Sequence, residues 1–158
     1  MGTLKNVSAH PSLRVVCIPP HMLGDTWGVV GPWLLKGALA VTGEMNASLA
    51  ALAKICLEVH EGKRLVWAVF DDKRVVAALE TTILMDGNAK WVWASTMAGE
   101  NIRAWGGPVS DALATFAKAE GCKFVRCTGR KALGRVYNGA RMVAPIGKGQ
   151  YLYERAVQ

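Results

Sequence analysis

Residues 64–97 read RLVWAVFDDKRVVAALETTILMDGNAKWVWASTM. Three runs rich in Val, Ile, Leu, Trp and Thr are separated by Asp71-Asp72-Lys73 and Asp86-Gly87-Asn88, residues that favour tight turns. The pattern predicts an antiparallel meander with strands near 65–70, 74–85 and 89–97. Upstream, Leu13 to Ile18 is β-rich and stopped by Pro19-Pro20, which predicts one more strand. Met22 to Val41 carries helical spacing at Leu23, Trp27, Val30, Leu34 and Leu35, with Pro32 expected to kink or divide it. Asn46 is placed to cap a second helix whose Leu49, Leu52, Ile55, Cys56 and Val59 form one apolar face, ending at Gly62. Downstream, the spacing predicts a helix from Pro108 to Glu120, with Val109, Leu113, Phe116 and Ala117 on its apolar face. A strand over KFVRCT (123–128), a short helix from Lys131 to Asn138 and a final strand from Gln150 to Arg155 complete the chain. Strand, helix and strand in succession predict a parallel crossover beside the antiparallel hairpins, so the fold class is α+β with a mixed sheet.

The composition bounds the function. At 158 residues the chain is expected to form a single domain with no linker. With 51% apolar and 20% charged residues, it has enough core-forming material to fold by burial alone. The amino terminus lacks a continuous apolar leader, and Asn6 stands where a myristoylation signal needs Ser or Thr. The most apolar segment, from Gly28 to Val41, is too short to span a bilayer and is interrupted by Pro32 and Lys36. Cys17, Cys56, Cys122 and Cys127 form no CxxC pair and read as reduced core thiols. His10, His21 and His60 lack ligand spacing, so no metal site is expected. The net charge of +7 suits a polyanionic partner: nucleic acid, a nucleotide cofactor or an acidic protein surface. From Gly121 to Tyr153 the sequence holds no Asp or Glu at all.

The order strand, two helices, three-stranded meander, helix, strand, helix, strand resembles the GNAT superfamily of acetyl-CoA-dependent N-acetyltransferases across nearly the whole chain. The segments LVWAVFDDKRVVAALETTIL and ALATFAKAEGCKFVRCTGRKALGRVYNGARMV resemble GNAT-like proteins of tailed bacteriophages. The shared texture is a helix ending in Ala119 to Cys122, a strand, and Gly129-Arg130 opening the next helix. The family's cofactor motif, R/Q-x-x-G-x-G/A, is matched by Arg103-Ala-Trp-Gly106-Gly107-Pro108. In this position the motif implies a loop whose main-chain N–H groups bind the pyrophosphate of acetyl-CoA. Pro108 stands at the last position and lacks an N–H, which implies a degenerate cofactor loop and leaves cofactor binding open.

An acetyltransferase also needs a base for the amine and an acid for the leaving thiolate. Glu80, mid-strand in alternation with Val76, Ala78 and Leu84, is the candidate base; the alternative is a carboxylate on an exposed face or paired with a nearby basic residue. Tyr137 is the candidate acid, although the family spacing would put the tyrosine at position 135; it could instead anchor its helix to the sheet. Arg103, Gly106, Gly107 and Arg130 are the candidate cofactor contacts. Arg130, Lys131 and Arg135 are expected to project into solvent as a positive rim. Trp105, read as a loop residue, is the tryptophan expected to contact a partner or cover a pocket. The resemblance implies, first, a virion-associated or assembly component that docks acidic surfaces of other virion proteins, in the host cytoplasm or the particle. The alternative is an active acetyl-CoA-dependent N-acetyltransferase acting on an amine of a protein or small molecule. Nucleic-acid binding through the basic C-terminal region is a third possibility, and no membrane association is expected.

Overall fold

A computed structural model describes residues 12–157. The readings of the N-terminal leader, of Asn6 and of His10 lie outside the described residues. The meander forms as expected: β2 (Arg64–Asp71), β3 (Arg74–Asp86) and β4 (Ala89–Gly99) pair antiparallel in sequence, with β1 (Leu13–Cys17) added antiparallel to β2. Asp72 and Gly87 take the positive φ angles that these tight turns require. The C-terminal half adds β5 (Phe124–Arg130), β6 (Arg141–Gly147) and β7 (Gln150–Ala156). The result is one seven-stranded mixed sheet in the order β1-β2-β3-β4-β5-β7-β6.

The parallel pair is β4 with β5, joined through helix α3 (Ile102–Ala119). The sequence pattern put the crossover one step later, between the KFVRCT strand and the last strand. That pair is antiparallel, because the chain after β5 makes only a 3-10 turn at Lys131–Arg135 and then a hairpin through β6. A connection this short cannot carry a strand back to a parallel start. β6 itself was missed: RMVAPIG carries Pro145 and Gly147, which weaken a strand signal, and it is an edge strand where such residues are tolerated.

Helices α1 (Leu23–Thr42) and α2 (Met45–His60) cover one sheet face, and α3 covers the other. Strand alternation divides the core between them. Val66 and Ala68 face α1 and α2 with Val30, Leu34 and Ile55, while Trp67 and Val69 face α3 with Val109 and Leu113. Pro32 lies inside α1 without ending it. The cap of α2 is Glu44 rather than Asn46, its carboxylate accepting from the Asn46 and Ala47 N–H groups. Leu49, counted on the buried face, is exposed, and Ser48 takes the buried position instead. All four cysteines are free thiols. No helix among the described residues is long and apolar enough to cross a membrane.

The largest departure from expectation is the start of α3. The helix begins at Ile102, six residues before Pro108, and takes Arg103, Trp105, Gly106 and Gly107 into its first turns. Trp105 is therefore a core residue, 1% exposed, with its indole N–H donating to the Glu100 carbonyl. Gly106 explains the local geometry. A Cβ there would overlap Val136 Cγ1, so the bare backbone lets α3 lie directly on the segment after the 3-10 turn. Gly106→Ala should cost about 1–3 kcal/mol through this overlap, despite the better helix propensity of alanine. Denaturant melts should show the loss, and a Gly106→Ala variant as stable as the parent would refute this packing role.

Candidate active site

β4 and β5 pair only from Trp91–Phe124 to Ala94–Cys127. Beyond that point β4 stays bonded to β3 as far as Gly99, and β5 stays bonded to β7 as far as Arg130. Two intact antiparallel pairs therefore part from one another, and a cleft of about 800 Å³ opens between them. Its walls include Gly37 and Val41 of α1, Ser95 and Met97 of β4, Trp105 of α3 and Tyr137. Gly37 brings α1 onto β4, because a Cβ at this position would already press on the Met97 carbonyl at 3.0 Å.

The parting starts at a β-bulge. Glu80 pairs with Thr96 and Thr81 with Ala94, so Ser95 is the extra residue in β4. Its hydroxyl donates a short hydrogen bond to Glu80 Oε1. Glu80 is 0% exposed, and Arg64 Nη1 donates to both its oxygens, at 2.9 and 2.5 Å. Arg64 in turn donates from Nε and Nη2 to Glu58 Oε1 at 2.9 and 2.6 Å. The Arg64 guanidinium holds the Glu58 carboxyl below its ordinary range, and the two carboxylates hold Arg64 firmly protonated. Glu80 is thus a buried, charge-paired carboxylate behind the cleft wall, and Ser95 is the group of this network that reaches the cleft. Glu80 is paired with a basic residue, the alternative weighed for it, and it is not among the residues that line the cleft.

Tyr137 lies at the cleft floor, with its hydroxyl donating to Met97 Sδ at 2.8 Å. Burial pushes its pKa above the phenol range, helped by Cys127 and Tyr153 nearby, so the hydroxyl keeps its proton at neutral pH. Arg130 stands at the rim with Lys148, both exposed. Arg103 is exposed on α3, and neither Gly106 nor Gly107 is in a loop. The expectation of a pyrophosphate loop over Arg103–Pro108 is therefore corrected: those amides are consumed by the helix, and Pro108 offers none. The free N–H groups of α3 lie instead at Ile102 and Arg103, since Asn101 gives no side-chain cap.

The structure thus brings Tyr137 and Arg130 to one cleft, sets Glu80 behind it through Ser95, and leaves Arg103, Gly106 and Gly107 on the helix beside it. Sequence reasoning missed Ser95 and Met97, and counted Lys148 among the basic residues without placing it at the cleft. A bulge leaves no local sequence signal, and Lys148 reaches the rim only through the unforeseen β6–β7 turn. No carboxylate or imidazole lines the cleft among the described residues. Nor do three or more His, Cys, Asp or Glu side chains converge as a metal site there.

The fold is that of the GNAT acetyltransferases. The chain resembles PaiA N-acetyltransferase from Thermoplasma acidophilum, solved with coenzyme A, with a TM-score of 0.56 and 13% identity over 92% of this chain and 99% of that one. It resembles the IAA acetyltransferase of Bacillus cereus with a TM-score of 0.59 and 13% identity, over 92% and 100% of the two chains. The N-acetyltransferase PseH of Campylobacter jejuni gives 0.58 at 9% identity, over 94% and 100%. At such identities the likeness shows the fold alone. No protein-family model matches the chain, and no curated protein matches it in sequence.

The buried titratable groups behind the cleft set a pH limit. Burial pushes Cys127 up to about 12 and Tyr137 upward as well, so the folded state holds these protons more tightly than the unfolded chain. The thiol's contribution is complete below its unfolded value of about 9 and is lost as pH rises toward 12. Melting temperature should fall between pH 9 and 12, and Cys127→Ala should flatten that fall. An unchanged slope in the variant would show that the thiol is not the group responsible.

Proposed function

We propose that the chain binds an acyl-coenzyme A in the cleft between β4 and β5 and transfers its acyl group to an amine. The observation that carries this reading is the parting of the two parallel strands with the protonated Tyr137 hydroxyl at the floor of the opening. The acetyltransferase neighbours of the fold, one of them solved with coenzyme A, support it.

The thioester supplies an activated carbonyl; the chain supplies position and a hydrogen-bond donor. Main-chain groups of β4 beyond Ala94 that face β5 have no strand partner, so they can pair with an amide-bearing arm as an added strand would. The phosphates would meet the Ile102 and Arg103 N–H groups with Arg130 and Lys148, rather than the Gly106–Pro108 amides. Tyr137 holds its proton at neutral pH and can donate a hydrogen bond to the departing thiolate, which then takes its proton from the attacking nitrogen. Because no carboxylate or imidazole lines the cleft among the described residues, the acceptor must lose its ammonium proton to water before attack. Turnover should therefore rise with pH up to the amine's own pKa, with no inflection from a protein base.

A second reading is favoured by the helical run Arg103–Pro108 and by Trp105 packed into the core where a phosphate loop would stand. On this reading the cleft is an inherited scaffold, and the resemblance to tailed-phage proteins implies a virion-associated or assembly role with docking to acidic protein surfaces. Nucleic acid is the other polyanion that the exposed Arg130, Lys131, Arg135 and Lys148 could meet.

Acetyl-CoA at a hundredfold its dissociation constant should stabilise the fold by about 2.7 kcal/mol in thermal melts. Tyr137→Phe should keep that shift while lowering kcat roughly a hundredfold. No shift at millimolar acetyl-CoA would eliminate the transferase reading, and the scaffold reading would then require the protein in purified phage particles by mass spectrometry.

A further inference from the structure

A second, smaller space lies under α3, behind the floor of the cleft. This chamber of about 30 Å³ shares Ala94, Met97 and Tyr137 with the cleft, and its remaining apolar walls include Val109, Leu113 and Val125. Where the two spaces share walls, the Tyr137 hydroxyl donates to Met97 Sδ. A methionine side chain has three rotatable bonds and adapts its shape readily, so this shared wall can move without backbone change.

The polar groups at the chamber's edge are already satisfied by the protein. Ser110 donates to the Asn138 carbonyl and accepts from Arg155, and Arg155 also donates to Asp111. Glu154 accepts from Arg126 and Arg141. A polar guest would find no free partner there, whereas an apolar one would displace nothing it needs. A water-sized group needs about 10–15 Å³ by this measure, so the chamber has room for roughly two methylene groups.

We infer that the chamber behind Met97 and Tyr137 is an acyl-chain pocket, and that the chain prefers acyl-coenzyme A thioesters with about two carbons beyond acetyl. This rests on the proposed acyl-coenzyme A reading and deepens it. On the proposed reading the thioester lies where the strands part, and Ala94 and Met97 at that point line both spaces. No bond is made or broken in the selection; the thioester is sorted by the fit of its tail.

The test is a calorimetric titration of the full chain with coenzyme A, acetyl-CoA, butyryl-CoA and octanoyl-CoA. Each added methylene buried should tighten binding about fourfold, so butyryl-CoA, with two more, should bind about fifteenfold more tightly than acetyl-CoA, and octanoyl-CoA should lose that gain. Val109→Leu, which fills part of the chamber, should bring the butyryl-to-acetyl ratio toward unity. Equal affinities for acetyl-CoA and butyryl-CoA, with coenzyme A itself bound, would overturn the pocket while leaving the transferase reading in place. Failure of all four ligands to bind would overturn both.

Discussion

A carboxylate with no access to water governs the middle of this sheet. Glu80 lies in β3 facing the α1–α2 layer, and it can stay there only because Arg64 reaches both its oxygens and Ser95 donates from the next strand. Isolated burial of such a charge is prohibitive, and removing one partner of a buried pair typically costs about 3–5 kcal/mol. Ser95 can donate only because it is the bulged residue of β4. The bulge and the buried charge therefore require one another. Since the bulge turns β4 away from β5, the opening of the cleft is tied to an ion network whose outer end, Glu58, lies on α2.

The same logic explains the acid-free stretch that runs through β5 and β6. Two of its cations, Arg126 and Arg141, are answered by Glu154 just beyond it, and the neighbouring Arg155 is answered by Asp111 of α3. Arg126 also stacks over Trp91 and Phe124, which leaves its guanidinium well occupied on the strand face. Of the remainder, Arg130, Lys131 and Arg135 lie around the short turn after β5 and Lys148 in the β6–β7 turn, while Lys123 stands before β5. Two of these cations, Arg130 and Lys148, stand at the rim of the cleft.

The meander was legible because each of its turns is written in local residues, Asp72 and Gly87, that carry the required backbone angles. The start of α3 was not, because Gly-Gly-Pro is a turn signal by local preference. Its helical state depends on Val136, far along the chain, filling the space that Gly106 leaves. Glu80 stood out as an anomalous carboxylate, but its partner was invisible until the β2–β3 register brought Arg64 beside it. Tyr137 stood out of phase because the count assumed an α-helix. A 3-10 turn from Lys131 to Arg135 advances the chain faster per residue and delivers the ring to the cleft floor.

Both margins of the sheet are built to end it. β1 is only five residues long, and β6 carries Pro145 and two breaks in its pairing with β7. An open ladder of amides invites another chain to extend it, and a short or interrupted one offers no continuous template. Even with Met142, Val143 and Ile146 exposed along β6, the protein is protected against growing into a fibre strand by strand.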